Sequence, residues 1–121
     1  MKREHTEPVP QPPEGCPLER YLHVVSGAWV PRILWFLSFG PRRFGELRRD
    51  IGNISAKVLT AKLRDLEGAG LVARTETRGQ TRQVAYALTE RGRIFEPVFD
   101  AMVEVSHRLA ELEAREAASK D

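Results

Sequence analysis

The sequence contains a single cysteine, Cys16, and no apolar run approaches the roughly 20 residues that are needed to cross a bilayer. One cysteine excludes a disulfide within the chain and fits a reducing compartment. The opening segment MKREHTEPVPQPPEG has no apolar stretch that could serve as a secretory signal. We therefore expect a cytoplasmic protein that does not bind membranes.

The residue patterns typical of enzymes are also missing. The three histidines are His5, His23 and His107, and no Asp or Asn is spaced to orient one of them beside a nucleophile. The sequence has no metal-ligand spacing, no phosphate-binding loop and no dinucleotide fingerprint. We expect no catalytic residue, no metal and no cofactor.

The positive charge of the chain is concentrated in its middle. The 121 residues carry a net charge of +2. Residues 40–82 hold ten Lys/Arg against five Asp/Glu, whereas residues 89–121 hold five against eight. A basic middle joined to an acidic end is typical of a surface that binds a polyanion. A solvated, arginine-rich surface has the same composition, so charge alone does not decide between these two readings.

The length of the chain predicts one domain, over residues 15–116. Residues 1–14 are rich in proline and are expected to form a mobile tail. Two short helices are expected before residue 40, starting near Pro17 and Pro31. Two more helices, joined by a sharp corner, are predicted to form a helix-turn-helix over about 43–68.

The second helix of this pair has Ser55 as its expected N-cap. Leu59, Leu63 and Leu66 recur at helical spacing and predict its buried face. After Gly70 the apolar period changes from 3.6 to 2, which predicts a β-hairpin over about 71–88 with the basic tip TRGQTRQ.

A C-terminal helix is expected over about 89–116, capped by Thr89 and bent or split by Pro97, with a frayed end at 117–121. Its apolar residues are spaced 3, 4, 3, 4, 3, as in a heptad seam: Phe95, Val98, Met102, Val105, Leu109 and Leu112. Such a narrow stripe favours a partner helix over packing within its own domain.

This order of elements predicts a fold that is mainly α with a small β-hairpin wing (α+β), a winged helix-turn-helix. Double-stranded DNA is the expected partner, because the outer face of the second helix is polar, with small residues that permit close approach to a groove. Arg42 and Arg43 precede a helix N-terminus, which also favours a phosphate. The predicted DNA-binding residues are Arg42, Arg43, Ser55, Ala56, Lys57, Thr60, Ala61, Arg64, Arg78 and Arg82.

The segments CPLERYLHVVSGAWV, GPRRFGELRRDIG and VAYALTERG, followed by a long helix, resemble the HxlR-type transcriptional regulators, winged-helix relatives of the MarR class. The resemblance covers residues 16 to about 112. It implies a homodimer formed by N- and C-terminal helices, with Leu18 and Leu22 also at the interface, and one DNA-reading helix per protomer on a pseudo-palindromic site. The family commonly has GGKW where this chain has SGAWV, so Ala28 replaces a usual positive charge.

The resemblance also implies a thiol switch, since several members of this family sense electrophiles or oxidants through a cysteine that matches Cys16. A cysteine beside a helix N-terminus has a raised thiolate fraction. Only intersubunit or small-thiol disulfides are then available. The alternative is that Cys16 is a small residue packed at the dimer interface.

Two other functions remain open. One is a repressor of the MarR kind that binds a small-molecule effector, an aromatic or an aldehyde, between the DNA-binding domain and the dimer helices. Trp29, Trp35 and Phe36 are candidate walls of that site, although aromatic residues in so apolar a helix also suit the core. The other is a protein-interaction module without salt-sensitive DNA affinity.

Overall fold

The computed structural model describes Pro8, Pro10 and residues 17–120. Cys16 and, apart from the two prolines, the predicted tail lie outside the described residues. None of the helices within residues 17–120 is both long and apolar enough to cross a bilayer. The elements of this range are α1 (Leu18–Val25), α2 (Val30–Leu37), β1 (Arg42–Arg43), α3 (Phe44–Ile51), α4 (Ala56–Gly68), β2 (Val72–Thr77), β3 (Gln83–Leu88), α5 (Glu90–Ile94) and α6 (Glu96–Ser119).

Helix α2 lies at the centre of the hydrophobic core. Its residues Ile33, Leu34 and Leu37 are at most 1% exposed, and they belong to the same cluster as Leu47 of α3. The three leucines that were predicted to face inward on α4 are also buried there, which confirms the helical period read from the sequence: Leu59, Leu63 and Leu66. The core therefore fixes α3 and α4 against α2.

The predicted hairpin is present and belongs to a three-stranded antiparallel sheet with the order β1-β3-β2. β2 pairs with β3 over its full length, with Val72 opposite Leu88. β1 pairs with the other edge of β3, with Arg42 opposite Tyr86. The sequence predicted only the hairpin, because a strand of two residues has no alternation of its own and forms only where the fold brings it beside β3.

The C-terminal helical segment has two parts, α5 and α6, divided at Phe95. Pro97 lies in the first turn of α6, where its missing N–H costs no helical hydrogen bond, so the predicted split occurs just before it. Thr89 caps α5 as predicted, since its side-chain oxygen accepts the N–H of Gly92 at 3.1 Å. Helix α6 continues to Ser119, past residue 116, where the sequence predicted fraying.

Candidate nucleic-acid interface

Helices α3 and α4 form a helix-turn-helix corner. Helix α3 ends at Ile51, and its C-cap Gly52 has a φ of +100°, in the left-handed region that favours glycine. Arg48 Nε donates a hydrogen bond to the carbonyl oxygen of Ile54 at 3.0 Å, which ties the turn to α3. Ser55 is the N-cap of α4, as predicted, and its hydroxyl oxygen accepts the N–H of Val58 at 3.1 Å. These bonds hold the start of α4 in a fixed orientation.

The outer face of α4 is open. The predicted contact residues on this face are exposed, except for half-buried Thr60: Ala56, Lys57, Thr60, Ala61 and Arg64. Lys57, Ala61 and Arg64 lie on one side of the helix, because residues three and four apart are neighbours there. Within residues 17–120 no ion pair involves Lys57 or Arg64. Their positive charges are therefore not neutralised by the described acidic side chains.

Arg42 has a structural partner that the sequence did not indicate. Its Nε and Nη2 donate to the two carboxylate oxygens of Asp50 at 2.8 and 3.0 Å, and its Nη1 lies 3.7 Å from Glu46 Oε2. The hydrogen bond to Asp50 is the main reason that the pKa of Arg42 is raised. This bidentate pair links β1 to the last turn of α3, so the guanidinium of Arg42 already has a carboxylate partner within the corner.

The N-terminus of α3 is already occupied by a carboxylate of the chain itself. Glu46 Oε1 accepts the backbone N–H of Arg43 at 2.9 Å, and this hydrogen bond is the main reason that the pKa of Glu46 is lowered. The guanidinium of Arg43 is exposed and donates to Gln83 Oε1 on β3 at 2.7 Å. Of the two arginines predicted to bind a phosphate here, Arg43 is thus the accessible one.

Both predicted arginines of the wing are exposed, but they differ in their contacts. Arg82 forms an ion pair with Glu76 across the hairpin, and Arg74 Nη2 lies 3.7 Å from the same carboxylate. Arg78 forms no ion pair with another residue of the range 17–120. Arg78 is therefore the more readily available cation at the tip.

Arg49 is a further candidate that the sequence-based set did not include. It is exposed in the last turn of α3 and takes part in no ion pair within the described part of the chain. Its place on the outer side of the first helix of the corner is where backbone-positioning contacts are made in this kind of motif. The signal was present as the outward run Arg48-Arg49 beside the buried Leu47.

The terminal helices carry exposed apolar stripes along the residues that the sequence analysis assigned to a dimer interface. Five residues of the α6 seam are 43–52% exposed: Val98, Met102, Val105, Leu109 and Leu112. On α1, Leu18 and Leu22 are 52% and 48% exposed. Phe95 is different, because its ring packs inside the protomer with ring centroids 5.8 Å from Tyr21 and 6.4 Å from Phe99. Packing within the domain therefore accounts for Phe95 and leaves the other seam residues uncovered.

An apolar cavity of about 480 Å³ is lined by residues of α2 and α6. Trp35 and Phe36 of α2, with Phe99 and Met102 of α6, supply much of its wall. Trp29 does not line it, although the sequence analysis grouped Trp29 with Trp35 and Phe36 in one candidate site. Trp29 instead packs against the core, with the guanidinium of Arg32 5.5 Å from its ring centroid.

Comparison with known proteins identifies the family. The sequence model of one protein family, the HxlR-like helix-turn-helix family, matches residues 24–114. The HTH-type transcriptional regulator YybR of Bacillus subtilis (strain 168) is 40% identical over 91 residues, which cover 75% of this chain and 73% of YybR.

Solved structures agree with this match. The redox regulator HypR in its reduced form has a TM-score of 0.75 and 33% identity, covering 83% of this chain and 99% of HypR. The reduced form of the transcriptional regulator YodB from B. subtilis has a TM-score of 0.69 and 33% identity, covering 74% of this chain and 88% of YodB. These proteins are transcriptional regulators rather than enzymes, in agreement with the sequence-based prediction. The chain therefore belongs to the HxlR-like helix-turn-helix family of transcriptional regulators and has its winged helix-turn-helix fold.

Proposed function

We propose that the protein acts as a homodimer that binds a pseudo-palindromic operator and reads it with helix α4. The observation that carries this proposal is the open face of α4, where Lys57 and Arg64 have no ion-pair partner in the described chain while the opposite face is buried. A helix held by a helix-turn-helix corner with such a face suits the major groove of DNA.

The residues of this surface have different roles in the proposal. Lys57 and Arg64 donate to guanine edges or phosphates, Thr60 supplies a small hydrogen-bonding group, and Ala56 and Ala61 permit contact with thymine methyl groups. Positioning on the sugar-phosphate backbone falls to residues at the edges of the motif: Arg43, Arg49, Ser55, Arg78 and Arg82. Arg42 acts through Asp50, by fixing the corner.

The homodimer is supported by the exposed apolar stripes of α1 and α6. Apolar side chains repeating over two heptads on a helix surface are stabilised by a partner helix, since association removes them from water. A two-fold dimer then presents two α4 helices to successive major grooves, and the half-site spacing of the operator follows from this symmetry.

A binding titration tests the operator proposal. The purified protein is titrated with DNA from immediately upstream of its own gene and with a random duplex of equal length, at two salt concentrations. We expect binding that is tighter on the upstream DNA and that weakens with salt on both. Equal affinity for both duplexes at both salt concentrations would contradict reading by α4. Salt-insensitive binding would favour a protein-interaction module.

A thiol switch at Cys16 is the proposed signal. It is supported by the relatives, because HypR is described as a redox regulator with reduced and oxidised forms, and YodB has been treated with diamide. Two Cys16 thiols of a dimer would lose two protons and two electrons to diamide and form one intersubunit disulfide. Non-reducing electrophoresis and mass spectrometry after diamide treatment should reveal it, with Cys16→Ser as the control. Unmodified Cys16 with undiminished DNA binding would contradict the switch and favour a packed interface residue.

A second candidate signal is a small apolar effector in the cavity between α2 and α6. The cavity favours it, because its volume of about 480 Å³ and its aromatic wall suit a ligand with one or two rings. Titration with 4-hydroxybenzaldehyde, followed by the fluorescence of Trp35 in a Trp29→Phe background, should show saturable quenching. A Val103→Phe variant, at a wall residue outside the seam, narrows the cavity and should abolish the quenching, and an unchanged signal in that variant would contradict this site.

A further inference from the structure

A basic cleft of about 720 Å³ lies between α1, the C-terminal half of α4 and the start of α5. It is separate from the apolar cavity and meets the outer face of α4 at Arg64. Its basic residues outnumber its single carboxylate, Asp65, and come from all three helices: Arg20, His23, Lys62, Arg64 and Arg91. With His23 neutral, four positive charges thus face one negative charge, which makes the cleft attractive to anions.

Two cations of the cleft have no protein partner in the described chain. Within residues 17–120, neither Lys62 nor Arg91 forms an ion pair. Lys62 is half-buried, and its Nζ lies 3.6 Å from the position that a Cβ on Gly27 would take. Arg91 Nη1 lies 3.2 Å from the corresponding position on Gly70. Neighbouring cations repel one another unless a counter-charge lies between them, and Asp65 is the single carboxylate in the lining, so this arrangement points to an anion in the cleft.

We expect the cleft to stay open in the proposed dimer. Successive residues of a helix are about 100° apart, which places Leu18 and Leu22 roughly 150° around α1 from Arg20 and His23. The apolar stripe of α1 and its cleft-lining residues therefore face different directions. Covering the stripe with a second protomer leaves the basic side of α1 accessible.

We propose that this cleft binds a small multivalent anion, such as a phosphorylated metabolite, and that the bound anion weakens DNA binding. Lys62 and Arg91 hold the anion, and Arg64 lies where the cleft meets the outer face of α4. The regulatory part rests on the proposed function, because α4 both lines the cleft and is the helix proposed to read DNA. Negative charge beside Arg64 lowers the positive potential that attracts the DNA backbone.

Isothermal titration calorimetry with inorganic pyrophosphate, in the absence of DNA, tests the binding part. We expect one pyrophosphate per chain at constant ionic strength. Lys62→Ala and Arg91→Ala should each weaken binding about tenfold, since each removes a charge-assisted hydrogen bond. Arg93→Ala is the matched control, because Arg93 lies on the same helix but pairs with Glu96 at 3.4 Å, and it should bind like the native protein. No binding, or equal affinity in all four proteins, would overturn the proposal.

Operator titrations with and without saturating pyrophosphate, at equal ionic strength, test the regulatory part. Pyrophosphate should weaken operator binding about threefold or more in the native protein and leave Lys62→Ala unchanged. Bound pyrophosphate without any change in operator affinity would overturn regulation. If Lys62→Ala weakened binding to random DNA as strongly as to pyrophosphate, the cleft would be part of the DNA phosphate contacts, and regulation by a free anion would be overturned. A protein that binds no DNA at all would refute the proposed function, while calorimetry would still decide the anion site.

Discussion

At the scale of single residues, Gly92 of α5 packs directly against the backbone of Leu71, which lies between α4 and β2. A Cβ at this position would lie 2.2 Å from the carbonyl oxygen of Leu71, and that oxygen accepts the N–H of Thr89 at 3.0 Å. Leu71 is fully buried, so the backbone cannot move aside cheaply.

We predict that Gly92→Ala lowers the free energy of unfolding by about 3 kcal/mol, because the added methyl group overlaps with buried backbone. Urea denaturation followed by circular dichroism measures the change. Gly79→Ala is the matched control, since a Cβ there meets nothing within 4 Å, and its effect should stay within about 0.5 kcal/mol. Equal stability of the two variants would show that the backbone at Leu71 moves to accommodate the added methyl group at little cost.

Glu46 makes stability dependent on pH in a defined direction. Its pKa is lowered from the usual 4.5, first by the hydrogen bond from the backbone of Arg43 and then by nearby arginine charges. Its contribution is therefore complete above pH 4.5 and is lost as the pH falls through the lower pKa of the folded state.

We predict that Glu46→Gln lowers the melting temperature at neutral pH and that the difference from the native protein disappears in acid. The amide can still accept the hydrogen bond but carries no charge, so the two proteins become alike once Glu46 is protonated. Thermal melts from neutral pH to below 4.5 measure this convergence. A difference that stays constant over the whole series would mean that the charge of Glu46 is irrelevant.

At the scale of elements, α4 and the wing should differ in what they contribute to DNA binding. We predict that Lys57→Ala and Arg64→Ala each cost about 1–3 kcal/mol on the operator and less on random DNA, because they remove base contacts. Arg43→Ala and Arg78→Ala should weaken both duplexes alike, because they remove phosphate contacts. Parallel titrations of the four variants on both duplexes measure the difference. Equal losses on both duplexes for all four would mean that α4 is not the reading helix.

The elements that the sequence predicted well are those whose pattern is local. The leucines of α4, the Ser55 and Thr89 caps and the alternation in β3 each act within one element, so they could be read without knowing the fold. The strand β1 and the pair between Arg42 and Asp50 could not, because both depend on segments brought together by tertiary packing.

The candidate site was predictable to a similar extent. The outward face of α4 followed from helical period alone, whereas the contacts that occupy Arg42 and Arg82 required the fold. Phe95 continued the heptad spacing, yet the break before α6 turns its ring towards Tyr21 and away from the seam. Residue spacing predicted which residues of α6 form the apolar stripe. The backbone break before α6 determines that the exposed stripe begins at Val98 and not at Phe95.

At the scale of the whole molecule, dimerisation and DNA binding should be linked through α6. Val105 and Leu109 are 51% and 52% exposed in the protomer, so replacing them should leave its folding largely intact. We predict that the double variant Val105→Asp with Leu109→Asp is monomeric by size-exclusion chromatography with light scattering, because two carboxylates would be buried in the seam. Ala114→Asp lies on the same exposed helix outside the seam and should remain dimeric.

The salt dependence of DNA binding should then report the same assembly. If each protomer neutralises about four phosphates, a dimer neutralises about eight, and log K should fall with log salt at a slope of roughly −7. The monomeric variant should bind with a slope of about half that value, because it releases half of the counterions. Titrations of the operator over a range of salt concentrations compare the two slopes, with Ala114→Asp as the dimeric control. An unchanged slope in a protein that is monomeric in solution would contradict this expectation. It would mean either that one protomer makes all the phosphate contacts or that the dimer forms again on DNA. Crosslinking of the variant on the operator distinguishes these two explanations.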